Sequence, residues 1–284
     1  MISLDSALIR IGRAIGKPRG WERVVHTLAP PSRFAGGALQ STPTSDGYLF
    51  PVDPGTLIGW HVHFFGSYEP EVRAEIKRWL RAGDVAVDVG ANVGWHTLLM
   101  ATRVGARGRV FAFEPNDTTR ARLTAGIQAN EFAQVVVDSR AVADRSGTRA
   151  FEAPRAGEFW DGTGRLTHDA PSARTVDCVT IDAFVAGQGI DRLAFMKIDV
   201  EGWELSVLRG ATQTLKTLGP AIVFEYDPTY VSRCGGSGDE LTACLADAGY
   251  RLFALDPRRP PAAASRLTDR GGDFLAVRGE APRP

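Results

Sequence analysis

Three cysteines in 284 residues, Cys178, Cys234 and Cys244, are too few and too scattered for a disulfide framework. None forms a CxxC pair or stands at zinc-ligand spacing from another, which argues against structural zinc. Cys244 falls at helical spacing from Leu241 and Ala248 and reads as a small core residue. Net charge is missing too: 33 basic residues balance 33 acidic ones, so nothing electrostatic points to nucleic acid as the main partner. No apolar run approaches the length of a membrane span. Near the N-terminus Asp5, Arg10 and Arg13 interrupt the apolar residues; no signal-peptide core is expected there, and the expected location is the cytoplasm. Internal repeats are absent. What remains is a hydrophobic fraction of 44% beside 23% charged residues, which suits a folded globular chain.

Along the chain, Leu4, Leu8, Ile11 and Ile15 recur at helical spacing with Arg10, Arg13 and Lys17 elsewhere on the wheel. This predicts a helix packed on the domain, with solvated arginines, rather than one lying on a membrane surface. Residues 31–46 are rich in Pro, Ser, Gly and Thr and read as a linker. The runs from Tyr48 to Phe65 read as one or two β-hairpins, and a helix is predicted from Glu69 to Leu80. Residues 1–65 thus form an N-terminal helical and hairpin segment, and residues 66–284 a second unit with a different pattern.

In that unit "DVAVDVG", "RVFAFEP", "QVVVDS", "LAFMKIDV" and "AIVFEYD" are short apolar runs suited to strands buried on both faces. Helical stretches alternate with them at Val93–Arg103, Asp117–Asn130, Ile181–Ala186, Trp203–Leu218 and Asp239–Ala248. Such alternation means an α/β fold with a Rossmann-like, doubly wound, mostly parallel sheet. Tyr250–Leu255 and Phe274–Val277, separated by the loop "DPRRPPAAASR", would close one sheet edge as a hairpin. Residues 145–180 interrupt the alternation with two β-like stretches around the Gly-rich loop "AGEFWDGTGR", and long loops in compact domains are often functional.

Ligands of open parallel sheets bind beyond the carboxyl ends of the strands, where strand order reverses. Every such end here carries an acid: Asp88, Glu114, Asp138, Asp199 with Glu201, and Glu225 with Asp227. Helix capping accounts for Asp117 and for Asp182, but poorly for Glu114, because Pro115 turns the chain first. Gly90 permits a tight turn after the first strand, and Gly94 permits close packing of the next helix against a ligand. Glu114, at the end of the following strand, can accept both hydroxyls of a ribose. The combination points to an adenosine-containing ligand. Asn92 replaces the second glycine of a dinucleotide turn, and no Tyr-x-x-x-Lys pair is present, which weighs against an NAD(P)-dependent reductase.

The segments "DVAVDVGANVGWHTLLMA", "GRVFAFEPND", "AVADRSG", "TIDAF", "MKIDVEGWELSVLRGA" and "IVFEYD" resemble the FkbM family of S-adenosylmethionine (SAM)-dependent methyltransferases, over about residues 66–230. The resemblance implies a class I methyltransferase fold, SAM as cofactor, and methylation of a hydroxyl on a small-molecule acceptor, a sugar or natural-product scaffold. It places Asp88, Gly90, Asn92, Gly94 and Thr97 at the methionine end of SAM and Glu114 at the ribose. Ser139, Arg140, Ala141 and Val142 would flank the adenine, and Tyr68 and Glu69 would close over the cofactor.

An alcohol is a poor nucleophile until it loses its proton, so a general base is required. Asp199 and Glu225, on neighbouring strand ends, could act as base and orienter, or could share a Mg²⁺ ion; Glu201 joins them as a catalytic candidate. A structural role at the start of the Trp203 helix is the competing reading for Asp199 and Glu201. His61, His63 and His96 are the reserve bases. Trp95, Phe159, Trp160 and Trp203 could form an apolar acceptor pocket. A non-catalytic module that kept the SAM fold is the remaining rival.

Overall fold

Alternation within one short strand decides the architecture. In Val85–Val89, Val87 and Val89 face one way, Ala86 and Asp88 the other, and all four are buried. A strand covered on both sides needs helical layers above and below it. The computed structural model describes residues 4–15, 20–37, 39–153, 164–168, 173–267 and 270–279.

The N-terminal part begins with α1 (Leu4–Ile15) and α2 (Trp21–Leu28), then a 3₁₀ turn at Pro31–Phe34 and the antiparallel pair β1 (Gln40–Pro43) and β2 (Leu49–Val52). The expected linker therefore holds a turn and a strand. Leu8 and Val25 bury themselves against Trp60 and Phe64, while Leu4, Ile11, Val24 and Leu28 stay exposed. Gly12 permits the contact, because a Cβ there would lie 2.4 Å from the Phe64 carbonyl oxygen.

Residues 57–65 correct the β-hairpin expectation: they form helix α3 (Leu57–Phe65). An almost wholly apolar run carries no period to separate strand from helix. Local signals settle it, since the Thr56 hydroxyl accepts from Gly59 N and Gly66 ends the helix at φ +70°. His61 and His63 consequently do not share a strand face. His61 bonds Leu57 O and Glu22, and His63 packs near Phe34.

From α4 (Pro70–Trp79) the chain enters the main sheet through β3 (Val85–Val89), α5 (Trp95–Val104), β4 (Arg109–Phe113), α6 (Asp117–Ala129) and β5 (Val135–Asp138). It then forms β6 (Ala141–Val142), β7 (Gly147–Glu152), β8 (Arg165–Thr167) and β9 (Arg174–Val179), which make a second sheet in the order β6-β9-β7-β8. The expected interruption is this sheet. Helix α7 (Ile181–Gly187) leads back to β10 (Phe195–Ile198), and α8 (Glu204–Arg209) and α9 (Thr212–Thr217) to β11 (Ala221–Tyr226). One helix was expected over Trp203–Leu218. It is divided at Gly210, whose carbonyl accepts from Asp182 N at 2.9 Å and where a Cβ would lie 2.2 Å from Ala143 O.

The last elements are α10 (Pro228–Arg233), α11 (Gly238–Asp247), β12 (Tyr250–Asp256), β13 (Arg259–Ala264) and β14 (Gly272–Arg278). Cys244 packs partly buried against the core, as its helical spacing suggested. The main sheet runs β13-β12-β14-β11-β10-β3-β4-β5 among the described residues. The β11-β10-β3-β4-β5 neighbours are parallel, and β14, β12 and β13 join antiparallel. The expected closing hairpin is thus altered twice. β14 inserts between β12 and β11, and the Pro-rich loop supplies an extra strand, tolerated because it lies on the edge. Order reverses between β3 and β10, the predicted switch point of a doubly wound sheet. No described helix is long and apolar enough to cross a membrane.

One side chain fastens the N-terminal strands to this sheet. Asn130 accepts from Leu49 N at 2.7 Å and donates to Leu49 O and Gly126 O, each at 2.7 Å. Tyr48, Phe50 and Val52 then share a hydrophobic cluster with Leu98 and Val110. Asn130→Ala should leave Leu49 with two unmatched backbone groups and lower stability by about 1–3 kcal/mol. Urea unfolding followed by tryptophan fluorescence would measure the loss; an unchanged midpoint would show that the bonds contribute nothing.

Candidate active site

On the α5 side of the sheet the apolar pattern breaks near the carboxyl ends. Lys197 stands in register with Asp88 on β3, and Glu225 with Asp273 on β14. With Asp199 just beyond β10, these residues make a polar row on an otherwise apolar face. Lys197 is 4% exposed, and its Nζ donates to Asp199 Oδ2 at 2.8 Å. Burial works against the ammonium, but Asp199, Asp88 and Glu69 hold its pKa above the ordinary value. Sequence reasoning gave Lys197 no role. A lone lysine in an apolar strand must be paired to be buried, and that signal was present in "LAFMKIDV".

The turn after β3 is built from left-handed residues: Gly90 at φ +80°, Asn92 at +51° and Gly94 at +90°. At Gly90 a Cβ would sit 1.8 Å from Asp199 O, so the turn presses against the end of β10. Gly94 faces α6 instead of the cleft, with an added Cβ 2.5 Å from Leu123 Cδ1. The Asn92 side chain accepts from Val93 N at 2.7 Å and fixes the turn. Asp88 and Thr97 lie behind it, the threonine donating to Asp88 Oδ2 at 2.6 Å, and both are wholly buried. Asp88 Oδ1 has no partner among the described residues.

Glu114 is 5% exposed and spreads its carboxylate over two backbone donors, Asn92 N at Oε2 and Asn116 N at Oε1, each at 2.8 Å. Burial raises its pKa to about 7 despite those bonds. It lines a narrow slot with Ala141, Val142 and Phe151. Ser139 is exposed, and Arg140 turns away to Asp138, so neither lines the slot.

Gly90, Arg165 and Asp199 connect the slot to a larger cleft of about 390 Å³. Tyr68, Glu69 and His96 line the cleft together with Glu201, Glu225, Asp227 and Tyr230. Glu69 takes a left-handed φ of +46° and meets His96 Nε2 at 2.8 Å. Burial opposes the Glu69 charge, yet the His96 bond keeps its pKa below the usual carboxylate range. Of the three reserve histidines only His96 lines the cleft. Trp95 is buried beneath it and Trp203 lies outside it, while Phe159 and Trp160 fall outside the described residues.

The acids at the cleft floor have unlike environments. The negative charge of Asp199, followed by burial, raises the pKa of Glu225 well above normal; water in the open cleft screens part of that repulsion. Glu201, at φ +56°, is raised to about 7 by burial and then by Asp199. Glu204, absent from the sequence reading, accepts from Val200 N and Gly202 N at 3.2 Å each and holds the Glu201 turn. A Mg²⁺ ion shared by Asp199 and Glu225 finds no support among the described residues. Lys197 already occupies one oxygen of Asp199, and no group of three His, Cys, Asp or Glu side chains suited to a metal occurs among the described residues.

The chain is similar in sequence to known proteins. Over 142 residues the chain is 33% identical to the hexuronic acid methyltransferase AglP of Haloferax volcanii, a match covering 49% of this chain and 55% of AglP. Over 202 residues it is 27% identical to the AMB antimetabolite synthetase AmbE of Pseudomonas aeruginosa, covering 59% of this chain and 10% of AmbE. The chain thus spans about half of one relative's length and a small part of the other's. The crystal structure of methyltransferase FkbM from Methylobacillus flagellatus KT aligns with a TM-score of 0.46 at 17% identity, covering 76% of this chain and 52% of that one. The family model described as the Methyltransferase FkbM domain matches residues 88–252, from the end of β3 into β12. With the match extending over more than half of its length, the chain belongs to the FkbM methyltransferase family.

Proposed function

We propose that the protein transfers a methyl group from SAM to a hydroxyl of a sugar or sugar-bearing natural product. The observation that carries the reading is the Lys197–Asp199 pair, set at the switch point where the slot lined by Glu114 joins the cleft. The likeness to a hexuronic acid methyltransferase supports a sugar acceptor.

The residues fit SAM. Glu114 uses one lone pair on each oxygen for the backbone and keeps others for ribose hydroxyls. Ala141, Val142 and Phe151 give the slot apolar walls suited to a nucleobase. Gly90 to Val93 and Glu69 border the wider part, where the methionine end would lie. SAM supplies a methyl group already activated on a sulfonium.

The chain's own task is then the acceptor. Lys197 holds Asp199 by Oδ2, leaving Oδ1 toward the cleft as base for the acceptor hydroxyl proton. Glu225, with its raised pKa, keeps its proton near neutrality and donates a hydrogen bond that orients the same hydroxyl. Two carboxyl groups whose environments separate their protonation states can divide base and donor roles in this way.

Glu114→Ala should weaken SAM and its demethylated product by about 1.5–3 kcal/mol through loss of hydrogen bonds to a charged group. Calorimetry on the folded variant checks this, and unchanged affinity would exclude the ribose assignment. Asp199→Asn should keep SAM affinity within a few-fold and lower turnover by about 10²-fold or more. Glu225→Gln keeps a neutral donor and should retain most of the activity, whereas Glu225→Ala should not. Turnover should also be indifferent to EDTA; activity lost with EDTA and restored by Mg²⁺ would return a metal to this site.

A further inference from the structure

The cleft does not end at Tyr230. Arg165, Glu201 and Tyr230, which border it, also border an adjoining groove of about 260 Å³ with His168, Trp203 and Arg233. His168, Trp203 and Cys234 in turn border a further hollow of about 170 Å³, reaching Arg145, Arg149 and Arg209. One continuous path thus runs from the floor acids out along the small sheet and α10.

Charge reverses along that path. Beside the reacting position Glu69, Asp199, Glu201, Glu225 and Asp227 face Lys197 and Arg165 among the described residues, with His96 bonded to Glu69. Beyond Tyr230 the lining holds Arg145, Arg149, Arg209 and Arg233, with Asp144 and the shared Glu201 as the acids among them. Asp144 pairs with Arg149 and Arg145, and Glu240 with Arg209. Arg233 is exposed, has no carboxylate partner among the described residues, and places its guanidinium 6.0 Å from the Tyr230 ring centroid. Trp203 is fixed by donation to Leu166 O at 2.7 Å, with the His168 ring 5.0 Å away. The unpaired Arg233 beside Tyr230 suits an anion carried further along a sugar chain.

We infer that the acceptor is an acidic glycan or glycoconjugate longer than one sugar unit. Its methylated hydroxyl lies on a neutral ring at the acid-lined floor, and its carboxylate or phosphate is held by Arg233 in the basic groove. A negative group on the reacting ring would face like charge; one sugar further out, it meets guanidinium. This inference rests on the methyl-transfer reading and extends it to the acceptor's charge and length.

Lactobionate, lactose and gluconate separate the two requirements. Lactobionate carries a neutral galactose and a carboxylate on the next unit; lactose lacks the anion, and gluconate lacks the ring. Calorimetry on the full chain, saturated with the demethylated product of SAM, should show lactobionate binding at least tenfold tighter than either. In Arg233→Gln the advantage should fall below about threefold, with product affinity unchanged. Equal or undetectable binding of all three would overturn the proposal, as would an advantage that survives in Arg233→Gln. A lactose 1-phosphate titration distinguishes the anion: competition with lactobionate that is lost in Arg233→Gln means the groove takes phosphate too, and lack of competition restricts it to carboxylate. Failure of the methyl-transfer reading would appear separately, as absence of SAM-product binding before any sugar is added.

Discussion

A lysine in the middle of a parallel sheet survives burial only with counter-charge close by, and at Lys197 that counter-charge comes from three directions. Asp199 follows on the same strand, Asp88 lies across the β3–β10 seam, and Glu69 reaches in from the start of α4. Removing one member of a buried pair costs about 3–5 kcal/mol, and the open side of Asp199 brings the figure toward the lower end. The ammonium ties a strand end, a sheet seam and a helix start to one point. The glycine turn at Gly90 packs directly on the carbonyl of Asp199, so the cofactor side of the cleft inherits its position from the same charge pair.

The ammonium also sorts the carboxyl groups around it. Asp199 has Lys197 within hydrogen-bond distance; Glu225 has Asp199 for a neighbour and no cation bonded to it among the described residues. Identical chemistry therefore meets different partners, and at Glu225 the neighbouring carboxylate raises the pKa. Glu204, buried on two backbone donors, does structural work on the Glu201 turn without reaching the cleft. Acid-rich strand ends are thus a division of tasks rather than a single negative patch.

How much of this could be read in the sequence depends on the kind of signal. The five parallel strands appear as apolar runs, and Gly90, Asn92 and Glu114 appear as turn chemistry and a strand-end acid, because these features are local. Helix α3 was hidden because Leu57–Phe65 is apolar on every side and has no period to show. β13 was hidden because Pro260 and Pro261 argue against strands in general, although edge strands tolerate them. The close approach of Gly210 to Ala143 joins residues distant in sequence. Gly94 was assigned a ligand contact, and only the packing of Leu123 against it reveals a helix–helix role. The basic groove had no local signature, for Arg145, Arg149, Arg209 and Arg233 converge only after folding.

The two rims of the main sheet are not equivalent. On one side β13 presents Pro260 and Pro261, which carry no backbone N–H; consecutive residues aim that group at opposite edges, so a strand arriving from outside would find one donor of its ladder missing. The opposite rim, β5, offers an unbroken Val-Val-Val-Asp backbone with Val136 exposed at 49%. Growth of the sheet by recruitment of a further chain is therefore disfavoured from one direction by covalent chemistry alone. The polarity of any strand-to-strand association is set before side chains meet.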